Sequence, residues 1–401
     1  MKTKNILLVF VAVAALSCKK EDIKVQAEGK IAGIGELAGG PQAEFNPMLF
    51  ARKIGEFMNG KTAGYGYTVM HEGKAYYVGN GGGGCSRCPI DFTNVPYGAQ
   101  TRMGTTNATQ FVTVLATIAA LEKYGLKLDE KLYHYLPSNW KPTEAFKQLD
   151  FFRLLTGATG FWYYGNDHGM EFDDLKKTVE NGLQMEEFQT GYRDPNVKIN
   201  YNLAVILLPY LNAKKGFPAE LMLLKSLENN PYELYKHLGS RFIEQVRTNV
   251  FKKADLLYWN ITDYRVWSNY GPMVSSLGTL GYPSPDPKVH GTSAPDYRKN
   301  GGAGGLYISP YEFGQIQSAA ARSKIISKEH YRIVKEELMG YSGFVNGEHG
   351  RYVWKNDVID KKHEIMFFDF GNTQVVVFAN SNTSKIANGM KLADLYDESW
   401  K

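Results

Sequence analysis

Two hydrophobic periods divide the chain. After Asn46-Pro47, apolar Leu49, Phe50, Ile54 and Phe57 fall on one helical face, which predicts a first helix to about Met58. Runs 66–70 and 74–78 then read as two strands joined by His71-Glu72-Gly73 as a hairpin turn. From about 103 to 290 the pattern is mostly helical and loop-like. Near the end it returns to strands at 352–355, 364–370 and 373–379, with Gly371-Asn372 as a two-residue turn, and a closing helix at 386–396 packs back on them. Strands and helices from both ends folding around an inserted helical region give an α/β part plus an all-helical lobe, with a groove where the two meet.

The first residues follow a different logic. Lys2 and Lys4 precede an apolar run from Ile6 to Leu16, which reads as a signal peptide over residues 1–17 and is too short to span a membrane. Its Ala15-Leu16-Ser17-Cys18 ending resembles a bacterial lipobox, which implies that Cys18 is acylated and becomes the mature N-terminus. The expected location is the cell envelope outward of the cytoplasmic membrane, at the outer membrane or the surface, held by lipid alone. Residues 18–45 are polar, contain glycine and lack a hydrophobic period, so they read as a tether to a domain over 46–401.

Composition adds mainly exclusions. With 401 residues, 43% of them hydrophobic and 22% charged, the chain can bury a sizeable core. Cleavage after Ser17 removes Lys2 and Lys4 and no acid, so the net charge of +5 falls to +3; that balance, with no basic tract, predicts no nucleic-acid partner. Cys85 and Cys88 remain, in Gly84-Cys85-Ser86-Arg87-Cys88-Pro89, and an exported chain makes a small disulfide in a loop the leading reading. No further metal ligands sit nearby, and the eight histidines are scattered without metal spacing, so neither a metal nor a cofactor is expected. Asp167-His168 and the aromatic run Phe161-Trp162-Tyr163-Tyr164 read as loop and packing residues, as do Tyr258-Trp259, Tyr264 and Trp267. If they faced the groove, the aromatics would suit stacking on a sugar or peptide.

Five segments resemble the serine β-lactamase and D,D-peptidase family. Thr106-Asn107-Ala108-Thr109-Gln110-Phe111 leads into a helix ended by Gly125 and followed by Tyr135-Leu136-Pro137, and is similar to "SxxKQFTA … YLP". Leu149 to Gly160 is similar to "ITIRHLLTHTSG", Asn200-Tyr201-Asn202 lies in a stretch similar to "FxYSNxxYxLL", Gly301 to Phe313 is similar to "AGGLYSTAxDL", and Gln374 to Asn380 is similar to a final "VVVLxN" strand. Together these cover roughly 46–401. The resemblance implies an α/β fold with an antiparallel sheet flanked by helices, plus the helical lobe.

The resemblance also implies where chemistry should sit. Acyl transfer by serine needs a hydroxyl, a lysine one helical turn on, a tyrosine and asparagine from the second motif, and an edge strand lining the oxyanion hole. Aligning Gln110-Phe111 places Thr106 at the nucleophile and Thr109 at the lysine; counting back from Gly125 places Ala108 and Phe111 there instead. Either way the pair is missing, because no serine or lysine lies between Arg87 and Glu122. Asn200 stands at the tyrosine position, Asn202 is retained, and the third motif falls at Lys355-Asn356-Asp357, where an acid replaces glycine and would repel a carboxylate. Loss of nucleophile or base alone costs on the order of 10⁶ in kcat. Three readings remain: a non-hydrolytic binding lipoprotein for cell-wall peptide or glycan, an acyl-transfer enzyme using Thr106 or another group, and a structural envelope component.

Overall fold

A computed structural model describes residues 44–161, 171–183, 193–194, 196–266, 278–359, 362–381 and 390–401. Cys18, the signal peptide and nearly all of the tether lie outside the described residues, as do Trp162, Tyr163, Tyr164, Asp167, His168 and Trp267. Residues Glu44–Lys401 form one compact unit.

Eight strands make one antiparallel sheet. In chain order these are β1 (Gly64–His71), β2 (Lys74–Tyr76), β3 (Gly82–Arg87), β4 (Val95–Pro96), β9 (Gly343–Gly347), β10 (Gly350–Ile359), β11 (His363–Asp369) and β12 (Thr373–Ala379), with the ribbons β5 (Met103–Gly104) and β8 (Tyr307–Ile308), and β6 (Leu280–Gly281) and β7 (Thr292–Ser293), set apart. The order is β4-β3-β1-β12-β11-β10-β9, with β2 also on β1. Side chains alternate between two apolar cores. Ile365, Phe367, Val376 and Phe378 join one, and Met366, Phe368, Val375 and Val377 the other. Because both faces are covered, β11 and β12 are buried along their whole length.

Helix α1 (Pro47–Met58) starts on Asn46, whose side chain accepts from the Leu49 N–H, and buries Phe50, Ala51, Ile54 and Met58. It shares its core with the C-terminal helix α11 (Met390–Asp397) through Leu392 and Tyr396. On the opposite face lie α2 (Thr109–Lys123) and α9 (Pro310–Ala321). The helical lobe adds α3 (Glu144–Gln148), α4 (Phe151–Thr156), α5 (Phe172–Lys177), α6 (Lys198–Gly216), α7 (Pro218–Leu227) and α8 (Pro231–Val246), and α10 (Lys328–Glu336) precedes the last hairpins. Helix α2 is buried on every side over Thr109–Leu121, so it is the central post between lobe and sheet.

Two expectations change. The glycine run before Cys85 is strand β3, not loop: a Cβ on Gly82 would lie 2.2 Å from the Tyr65 carbonyl oxygen, so only glycine lets β3 lie this close to β1. On its other side β3 pairs with β4 at Cys85 and Arg87, with a register shift between them, and Cys85 is joined to Cys88 by a disulfide. The strand expected at 352–355 runs from Gly350 to Ile359, so Lys355 and Asp357 lie within it.

Candidate functional site

Residues 105–108 form a tight turn that leads into α2, with the N–H groups of Thr109 and Gln110 bonded to the carbonyls of Thr106 and Asn107 at 2.8 and 3.0 Å. A helix start leaves N–H groups without intrahelical partners and concentrates positive dipole there. Here β10 supplies the acceptor. One carboxylate oxygen of Asp357, Oδ2, accepts the Thr106 N–H at 3.2 Å, the Ala108 N–H at 3.1 Å and, in a short hydrogen bond, the Thr106 hydroxyl. The other oxygen, Oδ1, is buried without a hydrogen-bond partner.

Strand geometry explains how these groups meet. Asp357 pairs with Ile365 and Lys355 with Phe367, so both project from the face that packs on α2. The Lys355 ammonium donates to Gln110 Oε1 at 2.8 Å and Asn196 Oδ1 at 3.2 Å. Burial pushes its pKa down to about 8, against the pull of Asp357 and Asp194. Burial likewise pushes the Asp357 carboxyl up, opposed by the Thr106 hydroxyl, by Lys355 and by the two N–H groups. Both charges therefore sit where desolvation outweighs their partners.

The other sequence candidates have different duties. Thr109 does not act on Thr106: its hydroxyl bonds the Thr105 hydroxyl at 2.7 Å and accepts from the Leu306 N–H at 3.3 Å. Asn202 Oδ1 accepts from the Ala303 N–H at 3.0 Å, and Thr113 donates to the Gly302 carbonyl at 2.6 Å. These bonds clip the glycine-rich 301–306 loop to α2 and α6, and the fit is tight, since a Cβ on Gly302 would lie 2.0 Å from the Tyr201 carbonyl oxygen. Asn200 accepts from the Thr159 hydroxyl at 2.8 Å. In the alternative register, Ala108 is buried and Phe111 packs against Phe313, Tyr341 and Phe367, so Thr106 is the side chain of that turn placed at the site.

Asp357, expected from the sequence to repel a carboxylate, also supplies the acceptor for the turn that leads into α2. The signal was there in the spacing: Val353, Lys355 and Asp357 share one face of a strand, and charges at two inward positions demand partners. Gln110, Asp194 and Asn196 carried no such pattern.

A pocket of about 290 Å³ opens beside Thr106, lined by Thr105, Thr106, Ala294, Pro295, Tyr297 and His363, among others. A larger cleft of about 670 Å³ lies on the lobe against α8, but it holds none of these residues, and its acids are largely spent on its own cations, as in Arg298–Asp296 and Arg247–Asp263. The chemistry favours the smaller one as the site. Among the described residues, no group of three or more His, Cys, Asp or Glu side chains is placed to hold a metal ion, and no helix is long and apolar enough to cross a membrane.

The sheet flanked by helices, with a helical lobe meeting it at the α2 entry, is the fold of penicillin-binding proteins and β-lactamases. Among solved structures it is similar to FmtA from Staphylococcus aureus, at 13% identity over 90% of this chain and 93% of that one with a TM-score of 0.62. A class C β-lactamase is 12% identical over 87% and 94% with a TM-score of 0.57, and the penicillin-binding protein from Bacillus halodurans is 15% identical over 85% and 99% with a TM-score of 0.54. At these identities the likeness is one of fold. No protein-family model and no curated protein matches the sequence.

Proposed function

We propose that this chain is a non-hydrolysing envelope lipoprotein, anchored through Cys18, that binds a cell-wall peptide or glycan fragment at the pocket beside Thr106. One observation carries the reading: Asp357 Oδ2 already holds the Thr106 N–H, the Ala108 N–H and the Thr106 hydroxyl. An acyl-transfer site needs its backbone donors aimed at the developing oxyanion. With a carboxylate seated on them, a substrate oxygen has no place there, and it meets like charge as well. The pocket itself is lined by Ala294, Pro295 and Tyr297 together with Thr292, Ser293, Lys362 and His363, a mix of apolar and polar residues that suits a small side chain or the face of a sugar. A penicillin-binding protein of the same fold supports the class of ligand.

A second reading draws on the same contact. A hydroxyl donating to a carboxylate is also a nucleophile touching a base, so Thr106 with Asp357 would serve an acyl transferase. Against it, the oxygen that must take the proton is the one occupying the N–H groups the oxyanion needs. Intact mass after incubation with benzylpenicillin and with a fluorophosphonate separates the two. No adduct is expected, and muropeptide is expected to raise the melting midpoint. An adduct on Thr106 that disappears in Asp357→Asn would establish the enzyme and end the binding proposal; no midpoint shift with any muropeptide would leave the structural role in its place.

A further inference from the structure

Helix α7 is apolar on both sides. Leu224 is fully buried, and Leu221 and Leu227 pack against the lobe core. The outward face carries Ala219, Met222, Leu223 and Ser226, with Phe217 just before the helix, and these are exposed. Met222 is 68% exposed, Phe217 51% and Leu223 42%, too much apolar surface on one short segment for scattered exposure. A helix with two apolar faces is normally covered on both.

The charges around this face have one sign. Lys214, Lys215 and Lys225 are exposed beside it, and the Lys123 ammonium lies 5.6 Å from the centre of the Phe217 ring. Nearby acids are directed elsewhere: Glu220 is taken by Arg241 and His237, Glu244 by Arg241, and Glu228 by Ser138 and Tyr210. Burial lowers the Lys214 pKa and the Lys225 charge lowers it further, against the pull of Glu228, so an anionic surface would favour its charged form. Apolar side chains that penetrate between headgroups, ringed by lysines that meet phosphates, describe an interfacial contact. Residues 18–43 span at most about 90 Å when extended, so a lipid at Cys18 would keep the lobe within reach of the bilayer without choosing which face meets it.

We infer that the Phe217–Leu223 face of α7, with its ring of lysines, docks on an anionic phospholipid bilayer and sets how the domain sits on the membrane. The docking is independent of whether Cys18 carries lipid. The test uses residues Glu44–Lys401, which contain every described element and both apolar cores, so vesicle binding is read without the apolar signal segment. The fragment is sedimented with vesicles of phosphatidylethanolamine and phosphatidylglycerol, and with phosphatidylcholine alone. It is expected to bind the first, to release as salt rises, and to bind the second weakly. Lys214→Glu with Lys215→Glu should reduce partitioning by at least about tenfold, and Phe217→Ser with Met222→Ser should reduce it on the anionic vesicles while leaving the melting midpoint within a few degrees, because these side chains are exposed. Equal partitioning of the variants and the parent, or no binding by the parent, overturns the inference. So does a concentration-dependent dimer that Met222→Ser dissolves, which would make a second copy the occupant of this face.

Discussion

Two sets of buried charges flank the entry to α2, and they are built differently. Beneath the entry, Arg102 grips Glu312 through Nε and Nη2 at 2.6–3.2 Å, and Glu312 also closes a capping box with Ser309 at the start of α9. Both oxygens of that carboxylate are satisfied. At the candidate site, Lys355 and Asp357 are equally buried, but the lysine is spent on two amides and Asp357 keeps one oxygen without a partner. Burying a pair is repaid only when geometry is good and every lone pair is used. Arg102–Glu312 meets that condition and locks β5 to α9. Lys355 and Asp357 do not, and both carry the cost of their burial at the entry to α2.

The largest test of that contrast is to break the lock. Glu312→Ala strands a buried guanidinium and should cost about 3–5 kcal/mol in urea unfolding, whereas Arg102→Met with Glu312→Leu should recover most of it. A cost below about 1 kcal/mol for Glu312→Ala would mean that the two sets are equivalent after all.

What the sequence made legible follows the same line. Helix α1 was readable because its apolar positions repeat at the helical period, and the β11–β12 hairpin and α2 because their apolar runs, buried throughout, are bounded by Gly371-Asn372 and Gly125. Strand β3 was not, because the glycines that permit its close approach to β1 look like loop, and β9 was missed because Gly343–Gly347 has no buried stripe. At the site, Thr106 and Lys355 were placed by the family resemblance, and the absence of serine and lysine between Arg87 and Glu122 stands in the sequence itself. The capping role of Asp357 was not, since it joins residues 251 positions apart and depends on the register of β10 against β11. Asn202 holds the Ala303 N–H, and Thr109 the Leu306 N–H and the Thr105 hydroxyl, contacts that no side-chain pattern announces.

A smaller effect probes the cost carried by Lys355. Its folded pKa of about 8 lies below the ordinary 10.5, so between those values the unfolded chain holds more protons. Stability should therefore rise with pH across that window: the burden is complete below pH 8 and relieved above 10.5. Relative to Lys355→Met, the parent should gain about 2 kcal/mol between pH 7 and pH 9.5. Urea denaturation of both proteins at the two pH values measures it, and parallel behaviour would show that the amine is well solvated.

The smallest effect separates the cap from the charge. Asparagine at 357 can still accept the Thr106 and Ala108 N–H groups through its amide oxygen, so the turn into α2 keeps its partner and loses only the attraction between a full charge and the helix start. That attraction is worth about 1 kcal/mol, and Asp357→Asn also removes the burial cost that raises the carboxyl's pKa, so the net loss at pH 7 should not exceed it. Lys355, however, loses the counter-charge that holds its pKa up, so the pH at which stability begins to rise should move below that of the parent. An unmoved rise would show that Lys355 is governed by Asp194 and the two amides alone, and that the two charges on β10, though they share a face, are independent.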